Sequence, residues 1–175
     1  IAEAVQKRKS RLFNCDTEEG TLRLLVEFIR PETRLIIIGD NYDVSAMLGI
    51  AGELGWETYL VGKRTKLTKE MYEAAKQVVE YEEADQLAVH DYTAVMLMSH
   101  DYNKDKWMLP LFAAKNPRYM GMLGPKKRLQ KMQGVLPDLD LDKLSFLHAP
   151  TGLEIVAESP SEIALSIASE IVAAF

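Results

Sequence analysis

The chain has 175 residues, 47% of them hydrophobic and 27% charged, with a formal net charge of -5. This is enough apolar material for the core of one domain, with or without an extension, and too much for a disordered tail. The acidic balance speaks against a generic nucleic-acid binder, no apolar run is long enough to span a bilayer, and one cysteine, Cys15, excludes an internal disulfide framework or a Cys-cluster metal site.

Cysteine usage and the lack of a charged-then-apolar leader pattern give a cytoplasmic expectation. Because the sequence opens on Ile1, it is expected to be one domain of a longer protein.

Residues 1–20 read as an arm or connector. They are polar to Asp16 and carry Lys7, Arg8, Lys9 and Arg11. Thr21 to Ile29 alternates weakly as a strand and is closed by Pro31. Arg34 to Ile38 is a β-branched run of the kind found in buried parallel strands. It leads through Gly39 into Val44, Met47, Leu48 and Ala51 at helical spacing, with Gly55 as the C-terminal stop.

Glu57 to Val61 is the next strand, and the spacing predicts a helix over Thr68 to Glu80. Strands follow at Thr93 to Met98, Tyr119 to Leu123 and Ser145 to Leu147. Helices are expected at Asp105 to Ala114 and Lys126 to Gln133. Ser159-Pro160-Ser161-Glu162 is a capping box, and Ile163, Ile167, Ile171 and Phe175 line one face of the helix it opens. Strands alternating with helices predict an α/β fold with a mostly parallel sheet.

In such a sheet, ligands bind beyond the carboxyl ends of the strands. Four loops fall there. In the first, Gly39 to Asp43, a dinucleotide fingerprint would use Gly39, Asn41 and Val44, and only Gly39 fits. The acid that would hold a ribose is replaced by Gly62-Lys63-Arg64, which suits an NADP phosphate or solvent.

The second loop, Ser99 to Asp105, holds His100, Asp101 and Asp105. They fit acid–base or metal chemistry, or a helix cap at Asp101 or Asn103 with a structural histidine. The third, Gly121 to Arg128, sets Gly121 and Gly124 before Lys126, Lys127 and Arg128. That is a phosphate site at a helix start, or a solvated basic face. The fourth is His148-Ala149-Pro150-Thr151-Gly152, a turn beside the crevice. The eight scattered methionines read as core filler, and Cys15 lies away from these loops.

Read together, these segments resemble a known family. They are Leu25 to Pro31, the strand-Gly loop, Ser99-His100-Asp101 with Asp105, Tyr119 to Gly124 before basic residues, His148 to Glu154, and Ala157 to Ile167. The chain is similar, from about Leu22 onward, to the C-terminal Rossmann-like domain of the xanthine dehydrogenase accessory proteins (XdhC/CoxI-like). The resemblance implies a doubly wound α/β domain over residues 21–175 with helices on both faces of the sheet.

It also implies a chaperone, rather than a catalyst, that binds the molybdenum cofactor (molybdopterin) and helps insert it into a molybdenum hydroxylase such as xanthine dehydrogenase. Further partners in this picture are a cysteine desulfurase and a second copy in a homodimer, with neither nucleic acid nor membrane. The cofactor-binding candidates are Gly39, Asp40, Asn41, Ser99, His100, Asp101, Gly121, Gly124, Lys126, Arg128, Pro150 and Gly152. Lys126 to Arg128 would draw the phosphate, and Ser99 to Asp101 would orient the polar edge.

The first loop (Gly39-Asp40-Asn41-Tyr42), Gly62-Lys63-Arg64 and Pro125-Lys126 depart from the family pattern, and the usual cysteine-containing N-terminal domain is not matched. An NAD(P)-dependent oxidoreductase and a non-catalytic assembly or regulatory domain with a degenerate nucleotide site are the alternatives.

Overall fold

A computed structural model describes residues 6–7, 9–18, 20–137 and 139–175, so residues 1–5, Arg8 and Glu19 of the expected arm lie outside the described residues. The chain divides into two compact units, Ile1–Pro31 and Glu32–Phe175.

The first unit holds an antiparallel hairpin of β1 (Arg11–Thr17) and β2 (Gly20–Val26), in register from Arg11↔Val26 to Thr17↔Gly20. Much of the segment read as a polar arm is therefore a strand. Its pairing rests on the backbone ladder and on local bonds at the turn, which leave no apolar alternation to read. Thr21 Oγ1 donates to Asp16 Oδ1 at 2.9 Å and Thr17 Oγ1 to the Gly20 carbonyl at 2.7 Å. Gly20 turns the chain at φ 136°, a value glycine adopts without steric cost.

The second unit is a six-stranded sheet in the order β5-β4-β3-β6-β7-β8, with every adjacent pair parallel. Its strands are β3 (Arg34–Ile38), β4 (Glu57–Val61), β5 (Gln77–Val79), β6 (Thr93–Leu97), β7 (Tyr119–Met122) and β8 (Leu147–His148). The helices are α1 (Asp43–Glu53), α2 (Lys69–Ala74), α3 (Tyr102–Ala113), α4 (Lys126–Gln133) and α5 (Pro160–Ala174).

Alternate residues of each strand point to opposite faces, so β3 feeds two cores. Ile36 and Ile38 pack on one face with Met108, Leu109 and Phe112 of α3. Leu35 and Ile37 pack on the other with Val44 and Met47 of α1 and Ile167 and Ile171 of α5. This is the doubly wound arrangement. The chain leaves β3 toward β4 on one side and returns to β6 on the other, so the strand order reverses between β3 and β6.

The helix expected over Thr68 to Glu80 is two elements. α2 ends at Ala74, Ala75 turns extended with ψ 134°, and Gln77–Val79 becomes the edge strand on β4. Val78 and Val79 satisfy a helical stripe and an edge strand equally well. Their β-branched side chains and the open edge of β4 decide for the strand. α3 begins earlier than Asp105, because Asp101 caps it by accepting the Asn103 and Lys104 amides at 2.9 and 3.3 Å. At α5 the capping box forms as read, with the Glu162 carboxylate accepting the Ser159 N–H at 2.8 Å.

Candidate functional site

The four loops emerge side by side at the carboxyl edge of β3, β6, β7 and β8, and each is tied to its neighbour. Asn41 Nδ2 donates to the Met98 carbonyl at 2.5 Å, and His100 Nε2 lies 2.6 Å from Asp43 Oδ2, joining the first loop to the second. Buried Asp105 accepts from Ser99 Oγ and from the Arg128 guanidinium, joining the second to the third. The Thr151 N–H donates to the Met122 carbonyl at 3.2 Å, joining the third to the fourth.

The first loop is filled by the protein itself. Asp40, 7% exposed, accepts from Lys104 Nζ at 3.0 Å, the Lys63 N–H at 3.2 Å, Tyr81 Oη at 3.3 Å and Lys66 Nζ at 3.4 Å. Burial pushes its carboxyl upward, but Lys104, Lys63 and Lys66 outweigh that and hold it below the ordinary range. The Tyr81 hydroxyl is pushed upward by burial and by the Asp40 charge.

Asp43 stands in the first turn of α1, where an incoming phosphate would otherwise find the helix N-terminus. Part of the basic run after β4 is also paired within the chain. The Arg64 N–H bonds Glu80, its side chain pairs with Glu83 at 3.5 Å, and Lys66 pairs with Asp40. Arg64, one of the two cations expected to suit an NADP phosphate, is thus paired within the chain, and Asp43 puts a carboxylate in the first turn of α1. Gly39 is explained without ligand: a Cβ there would sit 2.7 Å from the Met98 carbonyl oxygen of the adjoining strand end.

In the second loop Asp101 is spent on the α3 cap. Ser99 Oγ lies 2.5 Å from Asp105, and Ser99 and Asp105 are buried. Burial raises the Asp105 carboxyl, while Ser99 and Arg128 pull it back. His100 holds a left-handed backbone, φ 54°, and its side chain is 53% exposed. Gly121 lies within β7, where a Cβ would strike Met96 Sδ and Thr151 Oγ1, so its missing side chain makes room for protein atoms. Gly124, at φ 126°, turns the chain into α4.

A cleft of ≈ 610 Å³ opens between the third and fourth loops, lined by Lys126, His148, Ala149, Pro150, Gly152 and Glu154. It holds three of the expected residues, Lys126, Pro150 and Gly152. Arg128 is turned away to Asp105, and Gly39, Asp40, Asn41, Ser99, His100 and Asp101 stand in the first and second loops, outside this cleft's lining. The Ala149–Pro150 peptide is cis.

Two residues of α5 not singled out from the sequence, Ser166 and Glu170, hold the fourth loop that forms one side of the cleft. Glu170 of α5 accepts from Tyr119 Oη at 2.6 Å and from the Gly152 N–H at 2.7 Å, and its second oxygen lies 3.1 Å from His148 Nδ1. The Tyr119 and His148 rings stack at 4.5 Å. Burial opposes the Glu170 charge, but Tyr119, the Gly152 amide and His148 hold its carboxyl below the ordinary range. The available signal was Ser166 and Glu170, two polar residues one turn apart beside the apolar stripe of α5. Ser166 Oγ donates to the Leu153 carbonyl, so both clamp the fourth loop.

A family model described as the XdhC Rossmann domain matches residues 35–171. The chain belongs to this family. The XdhC domain here is 26% identical over 159 residues to a probable xanthine dehydrogenase subunit of Bacillus subtilis, covering 88% of this chain and 46% of that protein. It is 24% identical over 146 residues to "Molybdenum cofactor insertion chaperone PaoD" of Escherichia coli, covering 81% of this chain and 40% of that one.

A crystal structure of a xanthine dehydrogenase from Bacillus halodurans superposes with a TM-score of 0.74 at 24% identity, over 91% of this chain and 46% of that one, and shares the fold. The chain spans less than half the length of each of these relatives. No helix among the described residues of the XdhC domain is long and apolar enough to cross a membrane.

Proposed function

We propose that this XdhC domain binds the molybdenum cofactor for delivery to a molybdenum hydroxylase of the xanthine dehydrogenase type. The observation that carries the reading is the cleft between the loops that follow β7 and β8, set in a chain 24% identical to a protein named as a molybdenum cofactor insertion chaperone.

The cofactor is a pterin bearing a phosphate, and the residues present suit it. The volume falls in the range of small-molecule sites. Lys126 is exposed at the start of α4, where helix amides favour an anion. Ala149 and Pro150 offer an apolar wall to a flat ring. Of the second-loop candidates, His100 has a side chain exposed enough to meet the polar edge of a ligand that reaches it, while Ser99 and Asp101 are held by Asp105 and the α3 cap. A cysteine desulfurase partner, a homodimer and a cytoplasmic location belong to the same reading. Bound cofactor would supply the metal centre's chemistry to the recipient enzyme, while this chain's residues hold and shield it.

The test is a thermal-shift series on the purified chain with anaerobically isolated molybdenum cofactor, NAD and NADP, since a ligand of the folded state raises Tm by mass action. A shift with the molybdenum cofactor alone is expected. A shift with NADP alone would replace this reading with an oxidoreductase. No shift with any would favour an assembly domain whose nucleotide loop is closed by Asp40.

A further inference from the structure

The fourth loop carries a histidine whose two ring nitrogens have different surroundings. His148 Nδ1 faces Glu170 Oε1 at 3.1 Å. That carboxyl is held below the ordinary carboxylate range, so near neutral pH it is ionised and can only accept. Nδ1 is therefore the protonated nitrogen. Glu170 is itself fixed on its other oxygen by the Tyr119 hydroxyl and the Gly152 amide, so it cannot swing away without breaking both.

The imidazole is clamped on its face as well, by Tyr119 at 4.5 Å with the rings 24° from parallel. Tyr119 is fully buried in β7, so this support is rigid. Nε2 has no hydrogen-bond partner among the described residues, and His148 is a wall of the ≈ 610 Å³ cleft that also holds Lys126 and Glu154. Carboxylate–histidine pairs of this form set the tautomer of an imidazole that works through its other nitrogen.

We propose that His148 is a ligand-binding residue of this cleft, its Nε2 accepting a hydrogen bond from a ring N–H of a phosphorylated heterocycle whose phosphate lies toward Lys126. Glu170 is the positioning residue that places the proton of the neutral imidazole on Nδ1 and fixes the direction of Nε2. Ala149 and Pro150 give the flat ring its apolar contact, and Glu154 at the wall disfavours a second anionic group on the ring. A bonding-edge N–H and a single phosphate are features of a pterin phosphate, so the inference rests on the function proposed above for the ligand's identity, but not for the part His148 plays.

The test uses the full chain, ¹⁵N-labelled at histidine. The free protein should show His148 in the Nδ1-protonated tautomer, and adding isolated molybdenum cofactor should move the Nε2 resonance. His148→Phe keeps a ring to stack on Tyr119 but removes the acceptor, and should raise the Kd for the cofactor about tenfold. Glu170→Gln should shift the tautomer balance, a readout that a purely structural role for Glu170 would leave unmoved.

If His148→Phe binds the cofactor as tightly as the parent, or the free protein carries the proton on Nε2, the assignment of His148 falls while the cofactor reading stands. If the parent does not bind the cofactor, that reading falls, and guanosine monophosphate, a simpler phosphorylated heterocycle with a ring N–H, decides for His148. A moved Nε2 resonance sustains it, and an unmoved one overturns it. Should His148→Phe fail to fold, the Nε2 response of the parent to the same two probes decides the assignment in the same way.

Discussion

Gly39→Ala separates two explanations of the glycine that ends β3. As a phosphate-loop residue, it would matter only when ligand is present. The geometry gives it another task. A Cβ at this position would lie 2.7 Å from the Met98 carbonyl oxygen, 3.0 Å from its carbon and 3.3 Å from a Val44 methyl. Two of these are backbone atoms of the neighbouring strand end, which cannot turn aside as a flexible side chain would.

That carbonyl also accepts the Asn41 amide at 2.5 Å, so pushing it away weakens the bond that ties the first loop to the second. Overpacking a rigid site costs about 2 kcal/mol and the weakened hydrogen bond about 1 kcal/mol. For a chain of this length, a combined loss of about 3 kcal/mol lowers Tm by roughly 6–12 °C. The assay is thermal and urea unfolding of parent and variant without ligand. A ligand-free Tm within about 2 °C of the parent, with affinity alone reduced, would refute the packing explanation and return Gly39 to a ligand-facing role.

Asp40→Asn should reshape the acid limb of stability. The folded-state pKa of Asp40 is depressed, so its contribution is fully present above its unfolded value near 3.8 and is lost as pH falls through the lower folded value. The variant should melt lower than the parent at pH 7 and converge with it at strongly acid pH, and parallel curves at all pH would contradict this. Ser159→Ala removes the hydroxyl that accepts the Glu162 amide at 3.3 Å, and should cost about 1 kcal/mol in urea unfolding. Lys126→Ala, at an exposed position, should change stability by less than about 0.5 kcal/mol yet weaken binding of phosphate-bearing ligands, read by titration with isolated cofactor. Equal affinity would remove Lys126 from the site.

The elements with one dominant signal were legible in the chain. Arg34 to Ile38 is too short and too β-branched to be anything but a buried strand, and the capping box at Ser159 opens α5 as written. Val78 and Val79 were not legible, because helical spacing and an edge strand accept the same residues there, and the open edge of β4 adds to their β-branching to choose the strand. The weak alternation from Thr21 marked the second strand of the hairpin, but its first strand, Arg11–Thr17, was not legible because it buries little. Among site residues, the placement of the four loops followed from the alternation of strands and helices.

Their chemistry did not follow, because it depends on partners distant in sequence. Asp40 meets Lys104 across 64 residues, Arg128 meets Asp105 across 23, and His148 meets Glu170 across 22. No spacing rule links such pairs. Arg64 and Arg128 read as open anion-site cations because the carboxylates that pair with them, Glu83 and Asp105, sit elsewhere in the chain.

The bonds that join each loop to the next have a consequence for energetics at the rim. Asn41 to Met98, His100 to Asp43, Arg128 to Asp105 and Thr151 to Met122 are all made within the chain itself. The entropy of ordering these segments is therefore spent when the domain folds, and an arriving molecule meets a preorganised edge. Differences in affinity between candidate ligands should then report contacts made in the cleft rather than loop closure. A substitution in the first loop, far from the cleft, should be felt there by way of two intermediate loops, as a loss of alignment in groups it never touches.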